Sequence, residues 1–225
     1  RYNDNVIQCK QLHKRYDGRD RVLEDLSCSF PQGSLSLLYG RSGSGKTTLL
    51  NCISGVETVQ SGDIIVNGTR LNDLNDDQKA DFRLRHIGII YQFFNLLPSL
   101  TVEENILLPA MILKKNQSNY LHELAERFEI STLLTKWPAT LSGGECQRVA
   151  ICRALICKPT LILADEPTGN LDIRNRDIVM NYLKDLTQSQ DLSLIIATHD
   201  QEIKEIADHI WVLEDGHLER HDHPS

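Results

Sequence analysis

The sequence predicts an α/β protein: a core of strands buried on both faces, a small antiparallel sheet near the amino end, and a block of helices inserted between the strands. Three observations carry this. Short runs rich in leucine and β-branched residues recur at positions 35–39, 87–91, 161–164, 192–197 and 209–213, the near-continuous apolar character of strands covered on both sides. Residues 64–66 and 70–71 flank Asn67-Gly68, a pair that accepts the positive φ of a tight hairpin turn. Between about 96 and 159 apolar residues recur every three or four positions, giving candidate helices at 101–113, 119–129 and 145–157.

Thr101 followed by Glu104 reads as a capping box opening the first of these helices, and Pro159 closes the last. A length of 225 residues suits one α/β domain with a helical insertion better than two domains. With 24 basic and 31 acidic residues the net charge is −7, which argues against nucleic acid as a partner. The longest apolar stretch, 106–113 including Pro109, is far below the roughly 20 residues that cross a bilayer as a helix. The chain begins at Arg1 without a charged-then-apolar leader, which reads as trimming or a fragment rather than secretion. Cys9, Cys28, Cys52, Cys146, Cys152 and Cys157 form no C-x-x-C pair; this argues against a disulfide framework or zinc site and fits a reducing cytosol. His217, His221 and His223 sit among charged residues and Pro224, the composition of a solvated terminus rather than a metal site.

The strongest chemical signal follows the first buried strand. Gly40-Arg41-Ser42-Gly43-Ser44-Gly45-Lys46-Thr47-Thr48 fits G-x-x-x-x-G-K-[ST]. Glycines let the backbone wrap a phosphate, Lys46 neutralises β and γ charges, and the Thr47 hydroxyl ligates Mg²⁺. A second signal is the apolar run 161–164 ending in Asp165-Glu166, a layout that brings Asp165 to the Mg²⁺ side of a nucleotide. Glu166 is then placed to accept a proton from the attacking water. Alone, an apolar strand ending in two acids is an ordinary strand end; joined to the phosphate loop it points to ATP hydrolysis.

Leu141-Ser142-Gly143-Gly144-Glu145-Cys146-Gln147-Arg148 resembles the signature sequence of ABC ATPases, and the resemblance covers nearly the whole chain in order. It implies a P-loop NTPase with a RecA-like core, a small antiparallel β subdomain and an inserted α-helical subdomain. The single domain 1–225 then divides into a core at about 1–92 and 158–225 and a helical part at about 93–157. It also implies that Tyr16 stacks on adenine, that Gln92 reaches the Mg²⁺ and the attacking water, that Asn170-Leu171-Asp172 lies at a dimer contact, and that His199 is the switch histidine. Each has a plainer reading: a partly buried aromatic for Tyr16, a polar strand end for Gln92, a hydrogen-bonded core histidine for His199, a helix cap for Asp172. Cys146, where relatives often carry a polar residue, and Gln32-Gly33-Ser34, in place of the commoner x-Gly-Glu, are departures that remove no catalytic group.

Ser142, Gly143 and Gly144 precede a helix, so exposed backbone donors and a helix amino end face an anion. The chain already has one phosphate loop, and the family resemblance implies that these residues bind the γ-phosphate held by a second copy. ATP would then be clasped between two-fold related subunits, and hydrolysis to ADP would release them. Flanks at 92–105 and 163–172 resemble the branch of lipoprotein-releasing, macrolide-exporting and cell-division ATPases (the LolD, MacB and FtsE type). That branch implies a transmembrane permease partner, a place at the cytoplasmic face of the inner membrane, and export or extraction of a lipoprotein, lipid, peptide or drug. Phe93, Phe94, Leu96 and Leu97 are expected to form an apolar groove for a partner helix, with Phe94 the residue to test. Rival readings are an ATP-gated regulator of cell-wall enzymes, a non-transport ABC ATPase, and a phosphate-loop kinase or GTPase. The last would have no use for residues 142–145.

Overall fold

A computed structural model of the chain describes residues 5–17, 21–189 and 192–221; Arg1, His223 and Pro224 lie outside them. Two sheets form. Strands β1 (Asn5–Arg15), β2 (Arg21–Pro31), β4 (Ser61–Val66) and β5 (Thr69–Arg70) make an antiparallel sheet in the order β2-β1-β4-β5. The Asn67-Gly68 turn joins β4 to β5, both residues at positive φ (48° and 76°). The second sheet runs β10-β9-β3-β8-β7-β6, from β3 (Leu35–Tyr39), β6 (Ile87–Tyr91), β7 (Leu161–Asp165), β8 (Ser193–Thr198), β9 (His209–Glu214) and β10 (His217–His221). Its strands are parallel except β10, which pairs antiparallel with β9.

The expected strands of this sheet all form, and each face is covered. Along β7, Ile162 and Ala164 enter one apolar cluster while Leu161 and Leu163 enter the other, the alternation a pleated strand imposes. One cluster lies under α1 (Lys46–Ile53) and the antiparallel sheet; the other lies under α3 (Val102–Ile112), α4 (Ser118–Arg127), α5 (Gly143–Leu155) and α6 (Ile173–Ser189). The capping box read at Thr101 is present: its hydroxyl accepts from Glu104 N at 3.3 Å, and Thr101 N donates to Glu104 Oε2 at 2.7 Å. Strands β1, β2 and β10, the polar helix α2 (Asp76–His86) and α6 are elements that the apolar pattern did not announce. Among the described residues no helix is long and apolar enough to cross a membrane.

The topology sets the site. Across the parallel pairs Tyr39 is level with Thr198, and Ala197 with Asp165. The residues that follow these strands therefore leave the sheet together at its carboxyl edge, the usual place for a ligand in an open α/β sheet.

Candidate functional site

The loop after β3 is shaped by close approach and by glycine. A Cβ at Gly40 would stand 2.6 Å from Ser44 Oγ and 2.7 Å from the Leu213 carbonyl, so only glycine fits. Gly43 and Gly45 adopt φ of 79° and 102°. Gly45 is the N-cap of α1 with no side-chain cap, which leaves the first N–H groups of the helix for an anion, with the positive helix end behind them. Lys46 is buried, and its ammonium donates to the carbonyls of Gly40 (2.7 Å) and Arg41 (2.9 Å). Burial pushes its pKa down, opposed by the charges of Glu166 and Asp165. Arg41, Ser42, Gly43 and Ser44 also border an open cavity of about 960 Å³ facing Asp215. Lys46, Thr47 and Asp165 do not line that cavity, so the charged cluster stands apart from it.

Thr47 and Thr48 divide the next two tasks. Thr47 Oγ1 donates to Asp165 Oδ2 at 2.7 Å, so two of the three expected Mg²⁺ ligands, Thr47, Asp165 and Gln92, touch although 118 residues separate them. Burial raises the Asp165 pKa, the Thr47 hydrogen bond and Lys46 lower it, and the charge of Glu166 adds to the rise. Thr48 Oγ1 lies 3.3 Å from the Tyr16 hydroxyl. Tyr16 also donates to Glu57, whose carboxylate accepts from Asn51 Nδ2 at 3.0 Å and pairs with Lys14 at 3.3 Å. The ring is thereby tied to the helix that carries the phosphate loop.

Glu166 sits at φ 46° with its N–H bonded to Ala197 O at 2.8 Å. Non-glycine residues at positive φ are costly and concentrate at functional sites. Its carboxylate accepts from Thr198 Oγ1 (2.9 Å) and His199 N (3.1 Å), and His199 Nδ1 lies 2.8 Å away. The His199 side chain is 64 % exposed, which removes the alternative of a core histidine. Thr198 was missed by the sequence reading; a hydroxyl closing an otherwise apolar strand was the available signal.

Gln92 is joined to the loop after β7. Asn170 Nδ2 donates to the Gln92 carbonyl at 3.0 Å, Gln92 Nε2 lies 3.5 Å from Asn170 Oδ1, and a Cβ on Gly169 would stand 2.7 Å from Gln92 Nε2. Ser142 is the N-cap of α5 in a full capping box with Glu145, so Gly143 and Gly144, expected ahead of the helix, lie in its first turn. Ser142 and Gly143 are exposed, whereas Gly144 is buried where a Cβ would stand 2.2 Å from Asn175 Oδ1. Among the described residues no hydrogen bond joins this turn to the Gly40–Thr48 loop. Asp172 caps α6, accepting from Asn175 N at 2.8 Å and from the Asn175 amide at 3.0 Å, and these bonds hold its pKa down. Gln147, also missed, is fully buried and donates to the Pro167 carbonyl, joining α5 to the segment after Glu166. Burial pushes the Cys146 thiol pKa up, which lowers its thiolate fraction and reactivity.

The apolar patch needs a correction. Phe93 is 73 % and Leu97 43 % exposed, but Leu96 packs on the core and Phe94 is half-buried, with its ring beside Gly143. Phe94 thus supports the first turn of α5, and Phe93 is the side chain that faces outward.

Residues 23–169 match the family described as ABC transporter. The chain belongs to the ABC transporter family. As an ABC ATPase it binds and hydrolyses ATP. It is 39 % identical over 204 residues to the lipoprotein-releasing system ATP-binding protein LolD of Buchnera aphidicola subsp. Acyrthosiphon pisum (strain APS), covering 88 % of this chain and 90 % of that one. It is 40 % identical over 219 residues to the ABC transporter ATP-binding protein YxdL of Bacillus subtilis (strain 168), covering 95 % and 85 %. Among solved structures it is similar to dimeric MJ0796, a bacterial ABC transporter cassette, with TM-score 0.87, 34 % identity and coverage of 95 % and 97 %. It is likewise similar to a post-hydrolysis dimer of MJ0796 bound to ADP and Pi, with TM-score 0.89, 31 % identity and coverage of 97 % and 99 %. This ABC ATPase therefore shares its fold, and not only its motifs, with transporter cassettes.

Proposed function

We propose that two copies of this chain clasp ATP between the Gly40–Thr48 loop of one and the Ser142-Gly143-Gly144 turn of the other. The closure drives a transmembrane permease at the cytoplasmic face of the inner membrane, which exports or extracts a lipoprotein, lipid, peptide or drug. One observation carries this reading: the amino end of α5 makes no hydrogen bond to its own phosphate loop among the described residues, and with the N–H groups of Ser142 and Glu145 taken up by the capping box, the first-turn N–H groups of Gly143 and Gly144 and the Ser142 hydroxyl are the donors left for a nucleotide on another subunit. The dimeric relatives support it. On this reading residues 93–157 form the helical subdomain and the rest form the core with its β subdomain.

The assigned residues act as follows. Tyr16 stacks on adenine, the backbone of residues 40–48 cradles the phosphates, and Lys46 neutralises them. Thr47 and Asp165, with Gln92 as a third ligand, would hold Mg²⁺: hydroxyl, carboxylate and amide oxygens are the hard donors it takes, with the remaining positions left to phosphate and water. Bound Mg²⁺ supplies charge neutralisation on the β and γ oxygens. Glu166 accepts the proton of the attacking water, and His199 and Thr198 hold its carboxylate in place. Asp172 caps α6 and so fixes the 170–172 loop at the dimer contact.

The Glu166→Gln chain tests the clasp, because it keeps the binding groups and removes the base. Sedimentation velocity is expected to show a shift to dimer on addition of MgATP, with MgADP leaving monomer. A chain that stays monomeric in saturating MgATP refutes the reading.

A further inference from the structure

The segment after β6 holds two successive non-glycine residues in the left-handed region, Phe94 at φ 62° and Asn95 at φ 50°. Asparagine tolerates that region; phenylalanine does not, and each left-handed residue costs energy that surrounding contacts must offset. The compensating contact comes from another element. Arg153, in the last turn of α5, donates from Nη1 to the Asn95 carbonyl and from Nη2 to the Phe94 carbonyl, each at 2.6 Å. Burial pushes the guanidinium pKa down from its ordinary value, so this charge has given up water for the two carbonyls. Its fork is rigid and planar, which lets one side chain satisfy two adjacent acceptors in a fixed arrangement; a lysine offers no such fork.

The other end of the segment is also held, by Asn170 on the Gln92 carbonyl. The stretch from Gln92 to Asn95 is therefore fastened on one side to the loop after β7 and on the other to α5, the helix that Ser142 opens.

We infer that Arg153 is a positioning residue for ATP hydrolysis: by fixing residues 94 and 95 in their left-handed turn it sets where Gln92 meets the nucleotide and ties that position to the Ser142 helix. The inference rests on the reading of Gln92 as a residue of the hydrolytic site. Arg153 has no contact with the phosphate loop or Tyr16 among the described hydrogen bonds, so ATP affinity stays with those groups.

The test is steady-state MgATP hydrolysis by the full chain, with thermal unfolding of every variant. Arg153→Met is expected to lower kcat by about tenfold while leaving KM within about twofold. Arg153→Lys, which keeps the stem and charge should the Met variant fold poorly, is expected to lose kcat in the same direction. A purely structural role for Arg153 predicts instead a lower melting temperature with kcat unchanged in the folded fraction. Unchanged kcat in both Arg153 variants, or a rise in KM that accounts for the whole loss in kcat/KM, overturns the inference. Gln92→Ala separates the two levels. A loss there beside intact Arg153 variants refutes the Arg153 role alone, whereas no loss there refutes the Gln92 reading and the inference with it.

Discussion

Replacing Glu166 with glutamine changes two atoms' chemistry and almost nothing else. The carboxylate accepts from Thr198 Oγ1 at 2.9 Å and His199 N at 3.1 Å, with His199 Nδ1 at 2.8 Å. A glutamine oxygen can keep the two His199 contacts, and the Thr198 hydroxyl can rotate to accept from the new amide. The side chain therefore stays in place while losing the ability to take a proton. A general base is worth roughly 10²- to 10⁴-fold in rate, which is about 2.7 to 5.4 kcal/mol of barrier. Single-turnover hydrolysis of radiolabelled ATP measures that loss, and displacement of a fluorescent nucleotide measures affinity. The expected result is turnover reduced by that factor with affinity preserved. His199→Ala is expected to cost less, since Thr198 and the backbone N–H still hold the carboxylate. Turnover of the Glu166→Gln chain within threefold of the parent would remove Glu166 as the base.

Three further outcomes follow from the geometry. Burial raises the Asp165 pKa, so the folded chain carries a cost that is absent below the ordinary aspartate pKa and complete above the raised one. Asp165→Asn should therefore raise the melting temperature at pH 7 but not below pH about 4, while abolishing Mg²⁺-dependent hydrolysis; a lower melting temperature at pH 7 contradicts this. Phe93→Ala removes a ring that is 73 % exposed, so stability should stay within about 0.5 kcal/mol and isolated hydrolysis should be unchanged. Coupled transport in the reconstituted permease complex should fall, and full transport would remove Phe93 from the docking surface. Asn75 and Gln78 form the capping box of α2, and Asn75→Ala should cost about 1 kcal/mol, read calorimetrically as a melting point lowered by about 2–4 °C.

The phosphate loop, the Asp165-Glu166 strand end and the Ser142-capped start of α5 were legible because each is a short local pattern whose spacing is the mechanism. The five parallel strands were legible because burial on both faces makes them apolar throughout. Strands β1 and β2 were not, because Gln11 and Asp25 take φ of 49° and 46° and shift the register, and a break of that kind destroys the alternation on which a strand is read. Helix α2 buries none of its residues, so it has no apolar face to betray it; its signal was the Asn75 cap. Helix α6 buries Val179, Met180, Leu183 and Leu186, a helical spacing that was present in the sequence, and the helix-cap reading of Asp172 was the signal for its start. The tie from Tyr16 to Glu57 spans 41 residues, and the one from Arg153 to Phe94 spans 59. Nothing local specifies either, since they exist only once the sheets and α5 are assembled. The same holds for Phe94, whose apolarity suggested an outward patch and whose backbone turns it toward Gly143 instead.

Mixing two inactive variants tests the clasp most directly. Lys46→Ala disables the phosphate loop. Gly143→Asp places a carboxylate on the opposite surface, and the fold has room for it: Gly143 is exposed and a Cβ there would meet nothing closer than 3.7 Å, while an acidic residue in a first helical turn is favourable. In a mixed pair one site combines both lesions and the other neither. Each variant alone should hydrolyse little ATP, and an equimolar mixture should recover a substantial part of the parental rate. A mixture as inactive as its components, with both chains folded and mixed dimers detected, would mean that the Ser142-Gly143-Gly144 turn serves no nucleotide held by another copy.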